Sequence, residues 1–345
     1  MSAPRALNLM LAAGAGGLEA MALNYHQALV AEGVEVISVG LRASWFARAL
    51  AEQGYAVSSV PPAAPIDPRT GWRLRRIAQA FRPDVIVAHG SRGAAVAIPA
   101  LGRRAPIAVV MHNFRARSMV SSADLVIAVS ESVAADLRAR LPRAPVAAVA
   151  NFAPLMRAPL RSRPQEPPRI GSLGRLHEEK GFDLLLDAAA QLHREGRAFR
   201  LTIAGEGPAA RALKAQAAQL GLGAAVDFPG WTSPPGPFLA ELDLFVCSSR
   251  TESFGLVVVE AMAAGAPVVA TDIEGPRDIL RRGRYGRLVA ADSARALADG
   301  IRASLDDAEG ALGMAGLAQS ETVDFYDMAA GAERLWAALA PLTSA

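Results

Sequence analysis

Lysine is almost missing from this chain of 345 residues: Lys180 and Lys214 stand against 34 arginines. Whatever produced that bias put arginine at nearly every cationic position, so a surviving lysine marks a place where a compact ammonium on a flexible stem is needed. Lys180 lies in a glycine-flanked loop and Lys214 in a polar helix, which singles out the first. There is one cysteine, Cys247, which excludes a disulfide framework and a cysteine-based zinc site and suits a reducing cytoplasm. No uncharged apolar run approaches the ~18–20 residues needed to span a bilayer. The nearest, Ala6 to Leu18, has the length of a short signal peptide but reads better as a first strand running into a glycine loop. Four Trp and four Tyr form no stacking array for nucleic acid. No Asp-x-Asp pair is present to hold a divalent ion on a diphosphate.

What is there is globular: 52% apolar and 20% charged residues, in a length that fits two domains. The net charge of +3 hides an asymmetry. Residues 1–163 carry 19 Arg, no Lys and nine acids, a net of +10, and residues 164–345 carry −7. A basic half points to an anionic partner, whether phospholipid headgroups, a phosphorylated glycan or nucleic acid. The alternative is arginine on solvated helix faces.

Apolar strand-like runs alternate with helical stretches throughout. In the first half they are ALNLMLA, VEVISV, DVIVAH, APIAVVMH, DLVIAVS and PVAAVA; in the second, RIGSLGR, FRLTIAGEGP, AVDFPG, LDLFVCSS, APVVAT and GRLVA. Between them NFAPLMRAPLRSRPQEPP, residues 151–168, has five prolines and no periodicity, and reads as a linker. Repeated βα units imply parallel sheets wound by helices. The expected architecture is α/β, with two Rossmann-like domains, 1–163 and 164–323, facing across a cleft. A final helix from 324, with Phe325, Met328, Leu335, Trp336 and Leu339 at helical spacing, is expected to bury itself back on the first domain.

Ligands of open α/β sheets sit beyond the carboxyl ends of strands, so the strand-to-helix loops hold the candidates. GAGGLE, Gly14 to Glu19, allows close backbone approach to an anion, or is a tight turn needing glycine. After RIGSL, Arg175 and Lys180 are placed to clamp a diphosphate, unless they pair with Glu178 or Glu179. After LFVCSS, a helix is expected to begin near Phe254 and stop at Gly265. Amides of Phe254, Gly255 and Leu256 suit a phosphate there. Glu252 precedes this helix and Glu260 sits inside it among valines, where a carboxylate must find partners or face solvent.

Glu252-x7-Glu260 in ESFGLVVVEAMAAGAPVVAT, following GRLHEEKG and IAGEGP, closely resembles the nucleotide-sugar glycosyltransferases of family 4, retaining enzymes of the GT-B fold. GGLE, DLVIAVSES, FPGW, DIEGPRDIL and YGRLV extend the resemblance in order along most of the chain. It implies that Glu252 hydrogen-bonds the donor sugar, helped by the amides of Phe254 and Gly255, and that Glu260 takes the ribose hydroxyls. Arg175 and Lys180 would neutralise the diphosphate, with Gly16 and Gly17 bringing backbone to the same phosphates and Glu206 of IAGEGP on the donor side. His112, ending APIAVVMH, matches a family histidine that contacts the donor sugar. His89, Arg115 and Arg117 are acceptor-side candidates. The implied activity is retaining transfer from a UDP- or GDP-sugar, by front-face attack and with neither metal nor cofactor, to a hydroxyl of a glycan, lipid-linked or lipopolysaccharide acceptor. ANFAPL departs from the family's usual turn before the linker, and the first domain is short, so the acceptor is what the resemblance identifies least.

The expected localisation is cytoplasmic. In TGWRLRRIAQAFRPD, Leu74, Ile77, Ala78 and Phe81 share one helical face opposite arginines, behind Trp72. That pattern leaves peripheral association with an anionic membrane open beside an ordinary βα-unit helix. No nucleic-acid partner is expected. Two rivals remain. GEGPAA fits G-x-G-x-x-A, with Asp227 at the spacing of a ribose-binding acid, which would make an NAD-dependent oxidoreductase. An epimerase or phosphorylase on the same fold is the other.

Overall fold

The computed structural model describes residues 3–14, 16–61, 68–114, 118–162 and 164–343. They fall into two compact units. One comprises residues 1–154 and 326–345, the other residues 155–325. The sequence put the division at 163/164 and at 323/324.

In the first unit the order is β1 (Arg5–Met10), α1 (Gly17–Ala31), β2 (Glu35–Leu41), α2 (Trp45–Glu52), β3 (Val57–Val60), α3 (Pro68–Phe81), β4 (Val85–His89), α4 (Gly90–Leu101), β5 (Ile107–Met111), β6 (Leu125–Ala128), α5 (Glu131–Arg140) and β7 (Val146–Ala148). The sheet is parallel in the order β3-β2-β1-β4-β5-β6-β7. Every residue of β4, β5 and β6 is buried, as expected for strands covered on both faces. Ser44 and Ser130 cap α2 and α5 by accepting the amides of Ala47 and Val133, supplying partners that a helix start lacks. The strand order reverses between β1 and β4, so the loops after β1, β4 and β5 gather at the switch point where ligands of such sheets bind.

The second unit runs β8 (Arg169–Leu173), α6 (Phe182–Arg194), β9 (Arg200–Ala204), α7 (Ala210–Gln219), β10 (Val226–Asp227), α8 (Pro235–Ala240), β11 (Leu244–Cys247), α9 (Leu256–Ala263), β12 (Val268–Thr271), α10 (Glu274–Ile279), β13 (Arg287–Val289), α11 (Ala294–Asp306) and α12 (Ala308–Tyr326). Its parallel sheet is ordered β10-β9-β8-β11-β12-β13, with its own switch point between β8 and β11. Leu185, Leu186, Ile203, Val246 and Leu297 are among the residues filling its core.

The terminal segment is two helices rather than one. The long α12 stops at Tyr326 and α13 (Met328–Thr343) follows, with Asp327 bridging to Ala153. Within the first unit α13 lies against α1, burying Leu335 and Leu339. Phe325, expected on the apolar face, is 45% exposed.

Candidate active site

At the switch point of the second unit, two loops are sewn together. Beyond β8 a short turn, Glu178–Lys180, ends at Gly181 in the left-handed region, φ +62. A Cβ at Gly181 would lie 2.1 Å from the Ser248 carbonyl oxygen, so only glycine lets the chain pass the loop beyond β11. Across that contact the Ser248 hydroxyl donates to the Lys180 carbonyl at 2.9 Å and the Arg250 amide donates to the Glu179 carbonyl at 2.8 Å. The Arg250 guanidinium donates to the Glu178 carbonyl, to both oxygens of Asp183 at 2.7 and 2.6 Å, and to Asp292 at 2.9 Å. Sequence reasoning missed Arg250. Its signal was a charge directly after an apolar strand, beside Glu252.

These ties bring Lys180 onto Glu252, 72 residues on, as a hydrogen-bonded ion pair. Burial pulls the Lys180 ammonium down, but the charge and hydrogen bond of Glu252 outweigh it and hold its pKa above the usual value. The sequence had weighed Glu178 and Glu179 as partners. Arg175 is exposed, with no side-chain partner among the described residues. Leu256 opens α9 behind Gly255 (φ +99), so its amide has no carbonyl a turn earlier to bond. The helix starts two residues after the expected Phe254, which is buried. On α9, Glu260 is half-buried and has no hydrogen bond or ion pair to another described residue. Burial pushes its pKa up to about 7. A carboxylate so placed lacks donors, and a ligand with hydroxyl groups would supply them.

Glu206 is exposed near the start of the loop after β9. The backbone of that loop serves the neighbouring turn. The Leu176 amide donates to the Glu206 carbonyl at 2.8 Å and the Ala209 amide to the Leu176 carbonyl at 3.0 Å. The spacing of GEGPAA is therefore met by an internal packing role.

In the first unit, Gly16 caps α1 in extended conformation, φ −177, so the glycine is not required by a left-handed turn. Glu19 uses the room instead: Cβ atoms at Gly14 and Gly16 would come within 3.2 and 3.4 Å of its carboxyl oxygens. A Cβ at Gly17 would meet nothing within 4 Å. A cavity of about 300 Å³ opens beside this loop, lined by Met10, Leu18, His89, Arg92, His112 and Asn113 among others. His89 Nδ1 is 3.2 Å from His112 Nε2, and His89 Nε2 is 2.8 Å from Asn8 Oδ1. Both ring nitrogens of His89, 2% exposed, are thus engaged inside the protein, which leaves neither for the acceptor contact considered from sequence. Burial lowers the His112 pKa to about 4, and burial together with His112 holds His89 well below the usual value. Both rings are neutral at pH 7. Asn8 was not singled out from sequence, although a lone amide in the apolar run ALNLMLA was the available signal. Arg115 and Arg117 lie outside the described residues.

Of the amphipathic stretch, Leu74 and Ala78 face the core while Trp72 is 55% exposed with Arg76 over its ring at 5.0 Å. No helix of the described residues is long and apolar enough to cross a membrane.

Comparison with known proteins bears on both units. The family model described as Glycosyltransferase Family 4 matches residues 15–157, and that described as Glycosyl transferases group 1 matches residues 160–315. The lipopolysaccharide core biosynthesis glycosyltransferase LpsD of Rhizobium meliloti (strain 1021) is 28% identical over 242 residues, 68% of this chain and 69% of the relative. LpsE of the same organism, also described as a lipopolysaccharide core biosynthesis glycosyltransferase, is 38% identical over 144 residues, 42% of this chain. That match spans 41% of LpsE's own length. Among solved structures, Anabaena Alr3699/HepE in complex with UDP superposes with a TM-score of 0.83 at 20% identity, over 98% of this chain and 100% of that one.

Proposed function

The chain is a family 4-like glycosyltransferase of the GT-B fold, and from that premise we propose that it moves a sugar from a nucleoside-diphosphate sugar to a hydroxyl of a cell-envelope glycan or lipid-linked acceptor. The transfer we propose keeps the anomeric configuration and needs neither metal nor cofactor. One observation carries the donor reading: Glu260 on α9 lacks a partner and Lys180 is paired with Glu252 in the adjoining loop. In this reading Glu260 accepts the ribose hydroxyls and Glu252 the hydroxyls of the sugar. Lys180, Arg175 and the amino end of α9 face the charge that develops on the leaving diphosphate. The C1–O bond to the β-phosphate breaks as the acceptor oxygen bonds C1 from the same face, and the acceptor's proton passes to the leaving phosphate oxygen. Glu206 and the backbone at Gly16 and Gly17 complete the donor contacts, and His112 meets the transferred sugar.

The names of the relatives support a lipopolysaccharide or polysaccharide acceptor, and UDP in the HepE complex supports a uridine donor, with GDP-sugars the second choice. The basic first unit, with Trp72, Arg73 and Arg76 exposed on α3, supports docking on an anionic membrane surface from the cytoplasmic side. The test is transfer from UDP-glucose and GDP-mannose to truncated lipopolysaccharide core in EDTA, with the product's anomeric configuration read by NMR. A retained linkage formed in EDTA supports the proposal. An inverted product, or activity only with added metal, contradicts it.

A further inference from the structure

We propose that His89 and Asn8 are positioning residues that fix which nitrogen of the His112 ring carries its proton, so that His112 meets the transferred sugar as a hydrogen-bond acceptor through Nδ1. The proposal rests on the reading of His112 as a sugar contact.

Asn8 lies in β1 with no exposed surface. Its Nδ2 donates to the Ala22 carbonyl at 2.9 Å and to the Ser38 hydroxyl at 3.1 Å. A carbonyl can only accept, so the amide cannot be turned over without facing oxygen to oxygen. Oδ1 must therefore be the atom 2.8 Å from His89 Nε2, and that nitrogen must carry a proton. Buried and neutral, His89 then has a bare Nδ1. The bare nitrogen faces His112 Nε2 at 3.2 Å, which obliges His112 to donate from Nε2. Neutral His112 keeps its lone pair on Nδ1.

The opposite tautomer would set two lone pairs against each other in a buried site and is disfavoured by roughly ten- to hundredfold. A ring held in this way accepts a hydroxyl and rejects an oxygen that has no hydrogen. The matching ligand group is a sugar hydroxyl rather than a carboxylate or phosphate substituent, so the chain of contacts from Asn8 also selects for sugars uncharged at that position.

The direct measurement is long-range proton–nitrogen NMR on the full chain labelled at its five histidines, with His112 assigned from its absence in His112→Gln. Protonated and bare ring nitrogens resonate in separate ranges. The expected spectrum has His112 and His89 each protonated at Nε2 and bare at Nδ1. Two variants separate positioning from packing. In His89→Asn the side-chain oxygen takes the place of Nδ1, and His112 should keep its tautomer, with transfer close to wild type. In His89→Gln the amide takes the place of Nε2 and the acceptor is lost. There His112 should show a tautomer mixture and kcat/KM should fall about tenfold, with UDP affinity unchanged. A proton on His112 Nδ1 in the wild type overturns the proposal whether or not the variants fold, and so does a His89→Gln spectrum like that of the wild type. The expected spectra combined with undiminished transfer by His112→Ala would instead remove the sugar-contact reading.

Discussion

Lowering the pH from 8 to 6 should weaken nucleotide-sugar binding about tenfold, through Glu260. Its carboxyl, raised by burial to about 7, can accept two ribose hydroxyls only when ionised. Ligand hydroxyls favour the charged form, so binding lowers the pKa and the affinity carries a factor of one plus ten to the power of pKa minus pH. That factor is close to one at pH 8, about two at pH 7 and about eleven at pH 6, the last equal to about 1.4 kcal/mol. Other site groups with shifted values leave this window clear: Lys180 is held above its usual range and His112 titrates near 4. The ligand is clear as well, because the diphosphate of UDP-glucose or GDP-mannose is doubly esterified. Calorimetry at pH 6, 7 and 8 measures the slope, and buffers of different ionisation enthalpy should report release of nearly one proton at pH 6. Glu260→Gln should flatten the profile. A flat wild-type profile, or an unchanged slope in Glu260→Gln, refutes the assignment of Glu260 to the ribose.

The Lys180–Glu252 pair should behave as a unit. Lys180→Ala and Glu252→Gln should each cost about 1.5–3 kcal/mol in donor binding and the double variant less than their sum, measured by titration with UDP-glucose or GDP-mannose; strict additivity would separate the two. Gly181→Ala should destabilise the second unit by at least about 2 kcal/mol in urea unfolding, from the clash with Ser248 and the left-handed φ; a neutral result would mean that the two loops are not tied there. Acid should loosen the first unit. Buried His26 and partly buried His112 have folded pKa values of about 4, below the ordinary 6.5, so stability present above pH 6.5 is lost as pH falls toward 4. Each contributes about 2 kcal/mol of that loss at pH 5. Comparing urea midpoints of wild type and His26→Gln at pH 7 and 5 checks this, and equal losses in both would count against it. Glu260 works in the opposite sense in the second unit, where its raised pKa favours the folded form as pH falls below 7.

Among the described residues, twelve of thirteen strands were legible as apolar runs, most plainly the central β4, β5 and β6, because parallel strands covered on both faces carry little else. The exception is β3, whose VSSV is short, half polar and at the sheet edge. The linker was half read. Its prolines hid the fact that Asn151 to Ala153 finish the first unit, with Phe152 fully buried and Asn24 donating to its carbonyl at 2.7 Å. The single terminal helix is broken at Asp327 by a backbone bridge to Ala153, a partner remote in sequence. At the site, residue types and loops were legible but pairings were not. Lys180 was chosen for its rarity, whereas its link to Glu252 depends on the crossing at Gly181 and on Arg250. His89 looked like a cleft residue until its two nitrogens were traced to Asn8 and His112.

The second unit is expected to hold a nucleoside diphosphate through Lys180, Glu252 and Glu260. Thermal melting with UDP, GDP, ADP, their sugar conjugates and NAD(H), on wild type, Lys180→Ala and Glu260→Ala, tests it most directly, because a ligand bound only by the folded state raises the melting temperature. The expected result is stabilisation by UDP or GDP and its sugar conjugates, lost in both variants. Stabilisation by NAD(H) alone, or by a nucleotide equally well in all three proteins, would contradict it.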